Sequence, residues 1–78
     1  MRIKPINRYV VVKYIKKISN CHIGKIISVS NSIPVRSVNS GIKVGNQILF
    51  TIGTCITFPD ESQVFIVSLE NVMGVYSE

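Results

Sequence analysis

Cys21 and His22 stand side by side, and a thiol beside an imidazole is the pairing from which cysteine nucleophiles are built. That chemistry needs the imidazole within hydrogen-bond reach of the sulfur, so that a positioned base can take the thiol proton. Adjacent residues in an extended chain point to opposite sides, which separates this pair. The chain has 1 histidine, so no second imidazole can take over or orient the first. A loop cysteine and a surface histidine are the expectation. Asp60 and Glu61 are the other adjacent pair with chemical capacity, as two carboxyls could divide general acid and general base roles. Pro59 before them and Ser62 after them make an exposed turn, without the burial or crowding that such work requires. A metal centre lacks ligands: there is one histidine, Cys21 and Cys55 are far apart in sequence, and the acids sit at one end. Gly41, Gly45, Gly53 and Gly74 are too scattered to cradle a phosphate, and no GxxxxGK run occurs. The expectation is therefore no catalytic residue, no metal, no cofactor and no enzyme.

Composition bounds the elements that could position any site. At 78 residues the chain is one small domain, near the size at which oligomerisation often completes a core. It contains no alanine and no tryptophan, and its leucines are Leu49 and Leu69, whereas isoleucine and valine dominate. β-Branched side chains lose rotamer freedom in helices and pack well on a pleated surface, which makes the chain all-β. No apolar run approaches the ~20 residues that span a bilayer, and Arg2, Lys4 and Arg8 are followed by no signal-peptide core. A cytoplasmic protein with free thiols is expected.

Alternation places the strands. Ile3 to Ile6 is a short extended piece that Pro5 confines to an edge or an irregular pairing. Tyr9 to Tyr14 is a strand with Val10, Val12 and Tyr14 on one face and Tyr9, Val11 and Lys13 on the other. Lys16 to Ile23 reads as a loop and Gly24 as a break. Lys25 to Ser30 follows as a strand, with Ile27 and Val29 on one face. Asn31 to Gly41 mixes Ser and Asn with Ile33, Pro34, Val35 and Val38, the pattern of a short exposed hairpin. Gly45-Asn46 then turns the chain into a strand from Gln47 to Thr51, and Thr54 to Phe58 forms another. Pro59 to Ser62 is a turn, with Asp60 suited to a local side-chain bond. Gln63 to Ser68, a helical turn at Leu69 to Asn71, and Val72 to Tyr76 complete the chain. Some seven short strands suggest a small barrel.

Three segments in this order carry a resemblance: Met1 to Lys13 (MRIKPINRYVVVK), Ile42 to Phe50 (IKVGNQILF) and Val64 to Tyr76 (VFIVSLENVMGVY), with Gly24 to Val29 (GKIISV) as a fourth. Together they span most of the chain and resemble the GroES-type co-chaperonins, the ring-forming lids of chaperonin cages. The resemblance implies an irregular GroES-like β-barrel, single over residues 1–78, and a homo-oligomeric ring of seven. It implies that the N-terminal strand (Ile3, Lys4, Pro5) pairs with the neighbour's C-terminal strand (Val72, Gly74, Val75, Tyr76). It places the roof hairpin of the ring at residues 31–41, through Ile33, Pro34, Val35 and Arg36. The family's mobile loop, which docks a short apolar segment on the chaperonin, is cut down here to residues 16–23. The implied chaperonin contacts are Ile18, Cys21 and Ile23. About eight residues that go out and return project little more than ~14 Å. The function implied is a compact co-chaperonin, viral or otherwise divergent, acting in the cytoplasm (the host's, if viral) beside a chaperonin that hydrolyses ATP. The alternative is a structural or assembly ring with no chaperonin partner.

Net charge of +5 raises nucleic acid as a further class of partner. Every Lys and Arg lies between Arg2 and Lys43, and every acid (Asp60, Glu61, Glu70, Glu78) lies after Phe58. A basic front and an acidic tail suit head-to-tail contact between copies, with Arg2 and Lys4 approaching Glu78 or Glu70 of a neighbour. Tyr9, Tyr14 and Phe50 could serve as stacking platforms on a nucleic-acid-binding barrel. They sit within apolar alternations and share few faces with basic residues, so nucleic-acid binding is not expected.

Overall fold

The computed structural model describes residues 3–76. Six strands form a single antiparallel sheet: β1 (Tyr9–Ile18), β2 (Cys21–Val29), β3 (Gln47–Phe50), β4 (Thr54–Thr57), β5 (Gln63–Ser68) and β6 (Val72–Tyr76). Their spatial order is β4-β5-β1-β2-β3-β6, so β4 and β6 are open edges and the sheet does not close on itself. The all-β class is as expected. Barrel closure is not seen, and the sheet has six strands among the described residues rather than seven.

Residues 16–23 are the largest departure from expectation. They are not a loop. β1 runs on to Ile18, and the chain reverses through Ser19 and Asn20 before Ile18 pairs with Cys21. Ser19 has a φ of 52°, the positive value that a type II′ turn puts at the first of its two central residues. A polar run that looks like a loop is thus a two-residue hairpin.

Two bulges reset the alternation. Val11 pairs with Ser28 and Val12 with Ile26, which leaves Ile27 as the extra residue of β2. Tyr14 pairs with Gly24 and Lys16 with Ile23, which leaves Ile15 as the extra residue of β1. Each insertion shifts the phase of the following side chains by one. Ile26 therefore enters the core, while Ile27, which alternation places on one face with Val29, is the bulged residue. The core on this inner face gathers Val10, Val12, Ile26, Ile33, Ile42, Ile48, Phe50 and Val67, with Val29, Phe65, Leu69 and Val72 packed against it. Gly24, expected as a break, lies buried within β2. A Cβ there would come within 2.9 Å of Val12 Cγ2 and 3.2 Å of Phe50 Cε1, so only glycine lets those side chains meet across the strand.

The segment expected as a roof hairpin is helical instead. Pro34 precedes α1 (Val35–Asn39), and Ser40 caps it. Ile42 N–H donates to Ser37 O at 3.0 Å and Gly41 N–H to Val38 O at 3.0 Å, the paired bonds of a Schellman motif. Gly41 takes the left-handed conformation that this motif needs, at φ 116°. Ile33 and Ile42, on either side of the helix, are both buried, and together they hold this short element to the sheet. Val35, Arg36, Ser37 and Val38 remain mostly outside the core.

Asp60 makes the expected local turn: its carboxylate accepts from Ser62 N–H at 3.1 Å and from Ser62 Oγ at 2.7 Å. A single 3₁₀ turn at Leu69–Asn71 links β5 to β6.

Candidate functional site

The β1–β2 hairpin extends past the rest of the sheet on one side. β5 pairs with β1 only from Tyr9 to Val12, so residues 13–18 have no strand partner on that flank among the described residues. At ~3.4 Å per residue this free flank is about 20 Å long. On the other flank β3 pairs with β2 from His22 to Lys25. Tyr14, Ile15 and Ile18 are large apolar residues exposed along this arm, Ile18 at 39%.

Of the contacts implied for this segment, Ile18 is exposed, Cys21 is half-buried and Ile23 is fully buried at 0%. Ile23 is a core residue and has no surface to offer a partner. Lys16, the Cα partner of Ile23 on β1, places Nζ 5.5 Å from the centre of the Tyr76 ring on β6. The lysine stem and the tyrosine ring thus converge over β2 and β3, where Ile23 and Leu49 pair.

Cys21 and His22 point to opposite faces, as adjacent strand residues must. Cys21 Sγ lies 3.8 Å from Met73 Sδ on the outer face. His22 is not a surface residue but is half-buried on the inner face, its ring centre 5.6 Å from Tyr14, 5.6 Å from Phe50 and 6.2 Å from Phe65. Its Nδ1 is buried with no hydrogen-bond partner. No nucleophile–base pair exists here. Among the described residues no group of three or more His, Cys, Asp or Glu could hold a metal ion.

The second feature is the free edge. β6 pairs with β3 on one side only, and Met73 and Val75 are exposed along it, Met73 at 60%. A hollow of about 500 Å³ lies beside this edge, lined by Arg36 and Ser37 of α1, by Ile42 and Leu69, and by Val72 to Val75. The N-terminal arm is unpaired: residues 3–6 belong to no strand, Pro5 is buried, Ile3 is half-buried, and Lys4 and Ile6 are exposed. Asn7, at φ 55°, turns this arm into β1. Arg2 and Glu78, expected to face one another between copies, lie outside the described residues. No described helix is long and apolar enough to cross a membrane.

The hairpin arm, the aromatic cluster around His22 and the hollow at β6 were not legible as sites in the sequence. The signal available for the hairpin was the short distance between two apolar-bearing segments, 14–18 and 21–27, which a two-residue turn can join. No protein-family model matches this chain, and no curated protein matches it in sequence.

Proposed function

We propose that this protein is the subunit of a self-assembling ring of the GroES type and that the ring caps a chaperonin. The observation that carries the reading is the free β6 edge with its apolar hollow, in a chain that also holds an unpaired N-terminal arm. An edge strand exposes a row of unpaired backbone groups, which soluble proteins cover or pair. A neighbour's arm laid along β6 would satisfy those groups and seat an apolar side chain such as Ile6, 68% exposed, in the hollow. The same contact would complete the sheet toward the irregular barrel of that family. Exposed ion pairs between the basic front and acidic tail contribute about 0–1 kcal/mol each and would set register rather than strength.

In this reading the rigid hairpin arm takes the place of a mobile docking loop, with Ile15 and Ile18 as the apolar contact. A rigid arm loses less conformational freedom on docking than a disordered loop does. Native mass spectrometry of the protein alone, and with a bacterial chaperonin and nucleotide, tests both halves. A closed oligomer that joins the chaperonin supports the reading; a monomer overturns it. A second reading, an assembly ring without a chaperonin, draws on the pairing of residues 16–23, which leaves no loop to order on docking. A closed oligomer that ignores the chaperonin would favour it.

A further inference from the structure

We propose that Cys21 and Met73 bind a soft monovalent metal ion of the Cu(I) class between their sulfurs. The two residues belong to strands that are not neighbours, β2 and β6, with β3 between them, yet Sγ and Sδ are 3.8 Å apart. The cause lies in the β3–β6 pairing. Leu49 pairs with Gly74 and Phe50 with Val72, so Met73 is the extra residue of a bulge. Bulges re-aim a side chain, and this one sends the thioether over β3 to the thiol.

The donor set selects the ion. Thiolate and thioether are soft ligands that favour Cu(I), whereas Mg²⁺ and Ca²⁺ need oxygen donors and structural Zn²⁺ closes a shell of four. Neither alternative can be met, since no described cluster of three or more His, Cys, Asp or Glu exists and His22 faces the other side of the sheet among aromatic rings. With metal–sulfur bonds of about 2.3 Å, the length of zinc thiolates, the observed separation subtends an angle of roughly 110°. That leaves a third coordination position for water or a small thiol. Met73 is exposed and its thioether has free torsions, so the pair can also widen toward a linear arrangement. On binding, the Cys21 thiol gives its proton to solvent and a sulfur–copper bond replaces the sulfur–hydrogen bond. Met73 donates a lone pair, and copper keeps its oxidation state.

The experiment is an anaerobic titration of the full chain with Cu(I), supplied as its acetonitrile complex, in competition with bicinchoninate. Cys55→Ser is the parent, which removes the second, exposed thiol. One copper per chain is expected in the parent. Cys21→Ser should abolish binding, and Met73→Leu should weaken it by at least the ~10–100-fold that loss of an outer-shell partner costs in other metal sites. Zn²⁺ should not compete. Equal affinity in the parent and Met73→Leu, or displacement of copper by Zn²⁺, would overturn the proposal. Met73 is exposed, so its replacement leaves the fold intact, and circular dichroism checks this. X-ray absorption at the selenium edge of selenomethionine-labelled parent gives a direct reading. Copper next to selenium, lost in Met73→Leu, supports the site, and its absence in the parent refutes it.

Discussion

Replacing His22 by phenylalanine tests how the inner face is held together. The imidazole sits among Tyr14, Phe50 and Phe65, with ring centres 5.6–6.2 Å away, and its Nδ1 is buried without a partner. Whichever tautomer is present, that nitrogen is unsatisfied, as an acceptor without a donor or a donor without an acceptor. A buried polar atom left unpaired costs about 1–3 kcal/mol, and the low end applies because the residue is only half-buried. Phenylalanine keeps a ring of similar shape in the cluster, where aromatic pairs contribute about 0.5–1.5 kcal/mol beyond their buried area. His22→Phe should therefore stabilise the protein by about 1 kcal/mol, a rise of roughly 4–8 °C in Tm for a domain of this size. His22→Ala removes the orphan and the ring together, and its lost contacts should outweigh the gain by about 2 kcal/mol. Differential scanning calorimetry at one fixed protein concentration makes the comparison, because assembly would make Tm depend on concentration. A His22→Phe protein that melts below the wild type would refute the reasoning and show that the imidazole makes a favourable polar interaction.

Ile23→Ala should cost about 2–4 kcal/mol in urea unfolding, as a fully buried isoleucine, whereas Ile18→Ser should stay within about ±0.5 kcal/mol. If the hairpin docks a chaperonin, Ile18→Ser together with Ile15→Ser should abolish association in a pull-down while the far-UV spectrum is unchanged. Gly41→Ala should destabilise by about 1–3 kcal/mol, since the new Cβ would meet Val75 Cγ2 at 2.8 Å and the backbone is at φ 116°. Gly45→Ala, at φ 99° but with open space around it, should show only the backbone part, about 1 kcal/mol. Single-stranded oligonucleotide should bind weakly in fluorescence anisotropy and be released by salt; submicromolar affinity surviving ~150 mM salt would promote a nucleic-acid role.

The strands from Gln47 onward were readable because each is a short apolar alternation closed by a residue with local turn chemistry. Asp60 with Ser62 is one such closure, between β4 and β5. The hairpin at Ser19-Asn20 was hidden because Lys16, Lys17, Ser19 and Asn20 have loop composition, while the end of β1 that carries the two lysines is exposed and needs no apolar side chains there. The core position of Ile26 was not readable because period-two counting, which groups Ile27 with Val29, assumes an unbroken ladder, and the bulges at Ile15 and Ile27 break it. The α1 helix has no local signal, since Val35 and Val38 favour strands and Pro34 favours turns. It is closed from beyond its end, by Gly41 and by the burial of Ile33 and Ile42. Tertiary contact also explains the Cys21–Met73 pair, as 52 residues separate the sulfurs in sequence.

Sedimentation velocity of the full chain beside a variant lacking residues 1–6 tests the proposed self-association through the β6 edge. A discrete closed oligomer is expected for the full chain at tens of micromolar, and a monomer or an aggregating species for the deletion, because β6 would then lack the neighbour's arm proposed to pair with it. A strictly monomeric full chain at that concentration, or an identical oligomer after the deletion, would contradict it.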